Sequence, residues 1–147
     1  MSAAARPEGL PEFAEVESNF AFLDDWEDRY RYLIELGRLM GPFPEEARTA
    51  ANKVQGCASQ VWMTTRRDGN DGAARLIVRG DSDALIVRGL VALLVSLASG
   101  RAPAEIAAMD IQGKLASLGL DQHLTPQRSN GLASMVKRLK AEAAAAV

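Results

Sequence analysis

The order of hydrophobic and polar residues predicts helices in the first part of the chain. Between residues 26 and 40, apolar side chains recur every three or four positions, as in an amphipathic helix: these residues are Trp26, Tyr30, Leu33, Gly37 and Met40. Asp24 or Asp25 can cap the start of this helix, and Gly41-Pro42 ends it. The same spacing predicts a shorter helix that begins near Pro11 and buries Phe13, Val16 and Phe20.

Hydrophobic residues then recur at every second position, which is the period of a strand. Residues 61–65 and 74–79 alternate in this way, and the turn-forming run DGNDG at residues 68–72 separates them. We predict an antiparallel hairpin, joined by a short strand around Lys53–Gln55. The sheet would then have about three strands.

The next segment predicts a helix that is buried on nearly every side. Asp81 or Ser82 can serve as its N-cap, and it continues to about Ser99, where Gly100 ends it. Apolar residues cover most of its circumference. We therefore expect this helix to pack centrally against the sheet.

Further helices complete the pattern. Two short ones are predicted over residues 103–109 and 113–120, and a last one is capped by Thr125, with Pro126 at its first position. We expect residues 141–147 to fray. The chain is thus predicted to form one α+β domain of residues 10–147, a small antiparallel sheet covered by helices, after a mobile tail of residues 1–9.

Composition removes several classes of function. The 147 residues carry a net charge of −2, and acidic and basic residues are mixed along the chain, which argues against nucleic acid as a partner. One cysteine and one histidine cannot form an internal disulfide or supply a thiolate-rich metal site, so we expect no metal. The longest apolar stretch, residues 89–98, is too short to span a membrane. Without a visible signal peptide, we expect a cytoplasmic location and a reduced thiol.

Cys57 is the first candidate for chemistry. It follows Gly56, which permits a sharp backbone turn, and a loop between rigid strands is a good position for a reactive group. The alternative is a small buried hydrophobe, which is the usual state of a free cysteine. With His123, Cys57 could also form the nucleophile–base pair of a cysteine hydrolase.

Arg128 is the second unusual residue. It falls in the first turn of the last predicted helix, where the helix dipole disfavours a cation, and this suggests a specific partner such as Asp83 or another carboxylate. The alternative is an ordinary solvated arginine on the surface. The run from Gly80 to Asp83 is typical of a helix cap. A divalent-cation site would need more oxygen ligands at alternating positions.

With these residues in view, the chain resembles the SufE/CsdE family of sulfur-acceptor proteins. Four segments carry the resemblance, in family order: residues 32–37 (YLIELG), 54–62 (VQGCASQVW), 80–90 (GDSDALIVRGL) and 123–132 (HLTPQRSNGL). The resemblance covers roughly residues 13–140. It implies an α+β fold shared with IscU-type scaffold proteins.

The resemblance also implies a function. A protein of this family takes persulfide sulfur from a pyridoxal-phosphate-dependent cysteine desulfurase, stimulates that enzyme, and passes the sulfur to a downstream acceptor or scaffold complex for iron–sulfur cluster assembly. The acceptor itself needs no cofactor, and no independent turnover is expected. The acceptor cysteine falls on Cys57, and supporting or docking roles fall on Gly56, Gln60, Asp81, Asp83, His123 and Arg128.

Two other functions stay open at this point. One is a hydrolase that uses Cys57 and His123, and the other is a regulatory module that acts by docking alone, with Cys57 as a structural residue. If the acceptor function is right, we expect free Cys57 to pack into an apolar pocket beside the central helix. Its loop would swing outward when the partner docks, and Asp83 and Arg128 would support the loop or its opening without transferring protons.

Overall fold

The computed structural model describes residues 9–69 and 73–147 of the chain. Its elements are α1 (Phe13–Phe22), α2 (Trp26–Leu39), β1 (Val61–Asp68), β2 (Arg75–Ser82), α3 (Leu85–Ala98), α4 (Pro103–Ala108), α5 (Ile111–Ala116), α6 (Leu120–His123) and α7 (Pro126–Ala146), with a 3₁₀ turn at Glu45–Ala47. This is the α+β class that the sequence predicts. Residues 1–8 of the predicted tail and residues 70–72 of the predicted hairpin turn lie outside the described residues. Within the described ranges, the helices are too short or too polar to cross a membrane.

Helix α3 forms the centre of the core, as its sequence predicts. Residues 89–98 are all buried. Helix α2 crosses α3 where glycine lets the two backbones approach, because a Cβ at Gly89 would lie 2.2 Å from the carbonyl oxygen of Leu33. Gly80 of β2 meets α3 in the same manner, since a Cβ there would lie 2.6 Å from the Val91 side chain. The helix is therefore enclosed by α2 and by the sheet.

The sheet has two strands in the described part of the chain. β1 and β2 pair antiparallel from Val61 opposite Ser82 to Asp68 opposite Arg75. The third strand that we predicted around Lys53–Gln55 is wrong, because this segment makes one bridge, between Lys53 and Trp62, with Val54 N–H donating to the Val61 carbonyl at 2.8 Å. Gly56 then turns the chain away at a φ of +90°, so a ladder cannot continue.

The start of α3 differs from the prediction. Asp81 and Ser82 are the last residues of β2, and the helix begins after Ala84, two residues later than a cap at Ser82 would require. Two arginines hold the Asp81 carboxylate, so it is not available to a helix N-terminus. The Ser82 hydroxyl accepts a hydrogen bond from the Ala84 N–H at 3.2 Å, which closes the turn before the helix.

The two clearest caps are those predicted from local chemistry. The Asp25 carboxylate accepts a hydrogen bond from the Glu27 N–H at the start of α2, and the Thr125 hydroxyl accepts one from the Arg128 N–H at the start of α7. The single helix predicted at residues 113–120 is instead divided between α5 and α6, because Gly119 adopts a φ of +81°. Fraying after residue 141 is also wrong: α7 continues to Ala146, and Ala143 is buried.

Candidate functional site

Cys57 lies in the loop that leads into β1, on the side that faces α7. Gly56 precedes it with a φ of +90°, a conformation that favours glycine. A Cβ at Gly56 would also lie 2.5 Å from the hydroxyl oxygen of Ser134 on α7. The loop thus passes closely over α7, and the conformation of Gly56 brings the thiol against the helix.

The thiol is half-buried and contacts the main chain of α7. Cys57 Sγ donates a hydrogen bond to the carbonyl oxygen of Gly131 at a distance of 3.5 Å. Burial raises the pKa of the Cys57 thiol above its ordinary value, because a thiolate would lose hydration there. In this conformation the sulfur is a protonated thiol at neutral pH, which is a weak nucleophile.

A cavity of about 240 Å³ opens beside the sulfur. Its lining combines apolar side chains from α3 and α7 with polar ones from the loop and from the start of α7: Val87, Leu90 and Met135 are the large apolar residues, and Ser59, Thr125, Gln127 and Arg128 are the polar ones. The predicted packing of Cys57 beside the central helix is confirmed. The predicted apolar character of the pocket is confirmed only in part, because the first turn of α7 brings polar side chains to it.

Arg128 faces this cavity without a partner for its charge. Its guanidinium makes no hydrogen bond or ion pair to a described residue. The other half-buried arginines in the described ranges each bond to a carbonyl or a carboxylate: they are Arg29, Arg48, Arg88, Arg101 and Arg138. The pairing of Arg128 with Asp83 that we predicted is therefore absent from the described geometry, because the Asp83 carboxylate bonds to the Cys57 loop instead.

Asp83 holds the end of the Cys57 loop. Its carboxylate oxygen Oδ1 accepts a hydrogen bond from the Gln60 N–H at 3.0 Å, and its own N–H donates to the Gln60 carbonyl at 3.2 Å. Asp83 is exposed, and it stands in the short connection between β2 and α3. The two bonds join this connection to the loop three residues after Cys57.

Asp81 lies two residues before Asp83 and is buried. Its carboxylate holds the start of the same connection in place. Arg48 donates a hydrogen bond to one oxygen of its carboxylate, and Arg88 Nε lies 3.2 Å from the other. The Arg48 guanidinium also lies over the rings of Phe43 and Trp62, at 5.7 and 5.5 Å from their centroids. Asp81 thus ties β2 to α3 and to the segment before β1, and it is not among the residues that line the cavity.

His123 is not among the residues that line the Cys57 cavity. Its imidazole stacks on the indole of Trp26, with ring centroids 4.0 Å apart and an angle of 17° between the planes. Its carbonyl oxygen accepts a hydrogen bond from the Tyr30 hydroxyl. These contacts attach α6 to the start of α2, and they give no support to a nucleophile–base pair with Cys57.

Sequence reasoning missed the face of α7 on which the loop rests. Gly131 accepts the hydrogen bond of the thiol, Ser134 lies under Gly56, and Arg138 donates to the carbonyl oxygens of Lys53 at 3.2 Å and Ala51 at 2.9 Å. The spacing of Gly131, Ser134 and Arg138 places them on one side of the helix. In the sequence, the pattern that could have indicated this face is two small residues followed by an arginine at helical spacing. The pattern becomes interpretable only when the structure shows that the Cys57 loop contacts these residues.

No cluster of three or more His, Cys, Asp or Glu side chains in the described ranges is arranged to hold a metal ion.

A family model and two relatives place the chain in the same protein family. A family model described as "SufE: Fe-S metabolism associated domain" matches residues 14–143. An uncharacterized SufE-like protein of Rhizobium meliloti is 50% identical over 129 residues, covering 88% of this chain and 92% of the relative. A second one, from Rhizobium etli, is 52% identical over 129 residues, covering 88% and 87%.

A solved structure gives the same result for the fold. The solution structure of a hypothetical protein from Thermus thermophilus matches with a TM-score of 0.68 at 24% sequence identity, and the match covers 93% of this chain and 96% of that one. A sequence identity of 24% is evidence for a shared fold and for nothing beyond it. The agreement therefore supports the α+β architecture and leaves the chemistry at Cys57 to be argued from its own geometry.

Proposed function

This chain belongs to the SufE family, and from that premise we propose that it is a sulfur acceptor whose Cys57 receives persulfide sulfur from a cysteine desulfurase. One observation carries the assignment to this residue. The single cysteine of the chain lies half-buried beside a cavity, on a loop that is held by hydrogen bonds at both ends. A structural cysteine of the core would not need a cavity next to its sulfur.

The proposed reaction is a thiol exchange at sulfur. The partner enzyme carries a persulfide on its own cysteine, and the Cys57 thiolate attacks the outer sulfur of that persulfide. A bond forms between Cys57 Sγ and the outer sulfur, the sulfur–sulfur bond of the partner breaks, and the partner cysteine leaves as a thiolate. The pyridoxal phosphate belongs to the desulfurase, and Cys57 needs no cofactor for this step.

Cys57 has to be activated before it can attack. In the described conformation its pKa is raised by burial, and the sulfur points its proton at the Gly131 carbonyl. Exposure to water removes the cause of the pKa shift and frees the sulfur from Gly131. We therefore propose that docking of the desulfurase swings the loop outward, which makes the thiol more acidic and places it within reach of the partner.

The loop has a hinge and two attachments that suit such a movement. Gly56 provides the hinge, because its backbone is conformationally permissive and Cys57, the next residue, has to turn away from α7 for the thiol to be exposed. Arg138 holds the chain before Cys57 through the carbonyls of residues 51 and 53, and Asp83 holds the chain after it through Gln60. Arg138 is half-buried and bonds to two carbonyls, whereas Asp83 is exposed, so we propose that the Asp83 attachment opens first.

The deciding experiment combines a desulfurase of this type with L-cysteine and the protein, followed by intact mass without reductant. We expect wild type to gain one sulfur atom and Cys57→Ser to gain none, while Ser18→Ala, an exposed change on α1, behaves as wild type. Desulfurase turnover is measured in the same mixtures. If wild type gains no sulfur while Cys57→Ser still stimulates the enzyme fully, the protein acts by docking alone and the acceptor assignment is wrong.

A hydrolase would give a different result. An ester or amide substrate would produce an acyl adduct on Cys57 and a burst of product, and both would depend on His123. The imidazole stacks on Trp26 in the described conformation, so we expect neither.

A further inference from the structure

The cavity beside Cys57 contains a positive charge that no described residue neutralises, and we propose that it binds a small thiophilic oxyanion, such as sulfite, which removes the outer sulfur from the Cys57 persulfide. The inference rests on the proposed function, because it requires Cys57 to carry a persulfide. It adds a class of small-molecule acceptor and a second way for the sulfur to leave.

The charges of the cavity favour an anion. Arg128 is the charged residue of the lining, and the residues that line the cavity within the described ranges include no aspartate or glutamate. The guanidinium presents a planar set of N–H donors that matches the oxygens of an oxyanion. It keeps them free, whereas the other half-buried arginines of the described part use theirs on the protein.

Neutral donors stand next to that charge. The Thr125 oxygen accepts the Arg128 N–H at 3.2 Å, so its own hydroxyl proton remains available to a ligand. Ser59 and Gln127, which carry a hydroxyl and an amide, also line the cavity. An oxyanion could therefore be bound by one guanidinium, two hydroxyls and an amide. Apolar residues of the same lining, Leu90 and Met135, suit a polarisable sulfur.

The cavity has room for a small ligand. A volume of about 240 Å³ accommodates an anion of four or five heavy atoms. Because Cys57 Sγ belongs to the lining, an anion bound at Arg128 lies in the same cavity as the outer sulfur of a persulfide. Among small oxyanions, sulfite has a nucleophilic sulfur lone pair, and sulfate has the same oxygens without it.

The transfer step balances without an added oxidant. The sulfite sulfur attacks the outer sulfur of the Cys57 persulfide, a new sulfur–sulfur bond forms, and the bond from Sγ to the outer sulfur breaks. Cys57 leaves as a thiolate and takes up the proton that the persulfide carried. The products are thiosulfate and the free thiol, which can return to its hydrogen bond with Gly131.

Binding is tested first with sulfate, which cannot react. Titration of wild type and variants with sulfate, followed by the backbone N–H NMR signals of Gln127 and Gly131 in the lining, should give a saturable shift in wild type. Arg128→Lys should bind more weakly and Arg128→Gln should not bind. Arg67→Gln is the matched control, because Arg67 is exposed on β1 and away from the cavity. Equal binding by Arg128→Gln and Arg67→Gln would overturn the proposal.

Transfer is tested on protein loaded with inorganic polysulfide, so that no desulfurase is involved. Sulfite should remove the sulfur from wild type with a rate that saturates, sulfate should compete, and Arg128→Gln should be slower by about ten- to a hundredfold, as expected for one charged hydrogen bond. A rate that rises linearly with sulfite and is unchanged in Arg128→Gln would overturn the proposal. Desulfurase loading of Cys57, measured separately by mass, can succeed or fail independently of this result.

Discussion

Asp83 and Gln60 are joined by two hydrogen bonds in opposite directions, one from the Gln60 N–H to the Asp83 carboxylate at 3.0 Å and one from the Asp83 N–H to the Gln60 carbonyl at 3.2 Å. The first bond depends on the side chain and the second does not. A change at position 83 can therefore loosen the Cys57 loop without disconnecting it from the turn before α3.

Replacing Asp83 by alanine should make Cys57 more accessible. The loss of one hydrogen bond to an exposed carboxylate weakens the closed loop by about 0.5–1.5 kcal/mol, so we expect alkylation of Cys57 to accelerate roughly two- to tenfold. The rate of reaction with iodoacetamide at neutral pH measures this. Asp24→Ala, an exposed acidic residue before α2, is the control for lost charge, and an equal acceleration in both variants would contradict the prediction.

Replacing Gly56 by alanine should destabilise the protein more than the same change at Gly41. Both glycines have a positive φ, which costs an alanine about 1–2 kcal/mol, but the Gly41 position has no atom within 4 Å of a new Cβ. At Gly56 the new methyl group would also lie against Ser134. Urea unfolding of the two variants measures the difference, and equal losses of unfolding free energy would show that the loop does not press on α7.

The contribution of Cys57 to stability should fall as the pH rises through the alkaline range. Its pKa is raised in the folded state, so above the ordinary value of about 9 the unfolded chain releases the proton and the folded protein still keeps it. The unfolded state is then favoured, and stability decreases until the folded thiol also ionises. The unfolding free energy of wild type should therefore fall relative to that of Cys57→Ser as the pH rises from about 9 toward the raised pKa. A difference that does not depend on pH would contradict the assigned burial.

Removing the imidazole of His123 should spare sulfur transfer. The ring stacks on Trp26, so His123→Ala should lower the unfolding free energy by about 0.5–1.5 kcal/mol. We expect the amount of persulfide formed on Cys57 to stay within twofold of wild type. A loss of transfer by a factor of ten or more, in a variant that still unfolds cooperatively, would favour the nucleophile–base pair instead.

Local chemistry was enough to predict much of the fold. The stripe from Trp26 to Met40, the apolar α3 and the cap at Thr125 depend on residues within a few positions of one another, and these predictions are confirmed. The helix cap predicted at Asp81 or Ser82 is wrong because of a residue that is distant in the sequence. Arg48, which comes 33 residues earlier in the chain, takes the Asp81 carboxylate, and a helix propensity cannot indicate that competition.

The site divides in the same way. The sequence singled out Cys57 and the resemblance to a known family implied its role, but the group that receives its hydrogen bond is the carbonyl of Gly131, 74 residues later. Arg138 supports the chain before Cys57 from 85 and 87 residues away. These contacts depend on how α7 lies against the loop, so a linear pattern does not contain them. That the Arg128 guanidinium bonds to no described residue is likewise visible only once the partners of the other arginines are known.

The hydrogen bond between Cys57 and Gly131 has a consequence for how charge and motion are linked. A carbonyl oxygen accepts hydrogen bonds and donates none. Gly131 therefore holds the sulfur only while the thiol keeps its proton. Once ionised, the sulfur would confront an oxygen lone pair and be repelled from α7. Loss of the proton and loss of this contact with α7 are therefore coupled, and because the acceptor is a main-chain carbonyl, side-chain substitutions on α7 leave the acceptor in place.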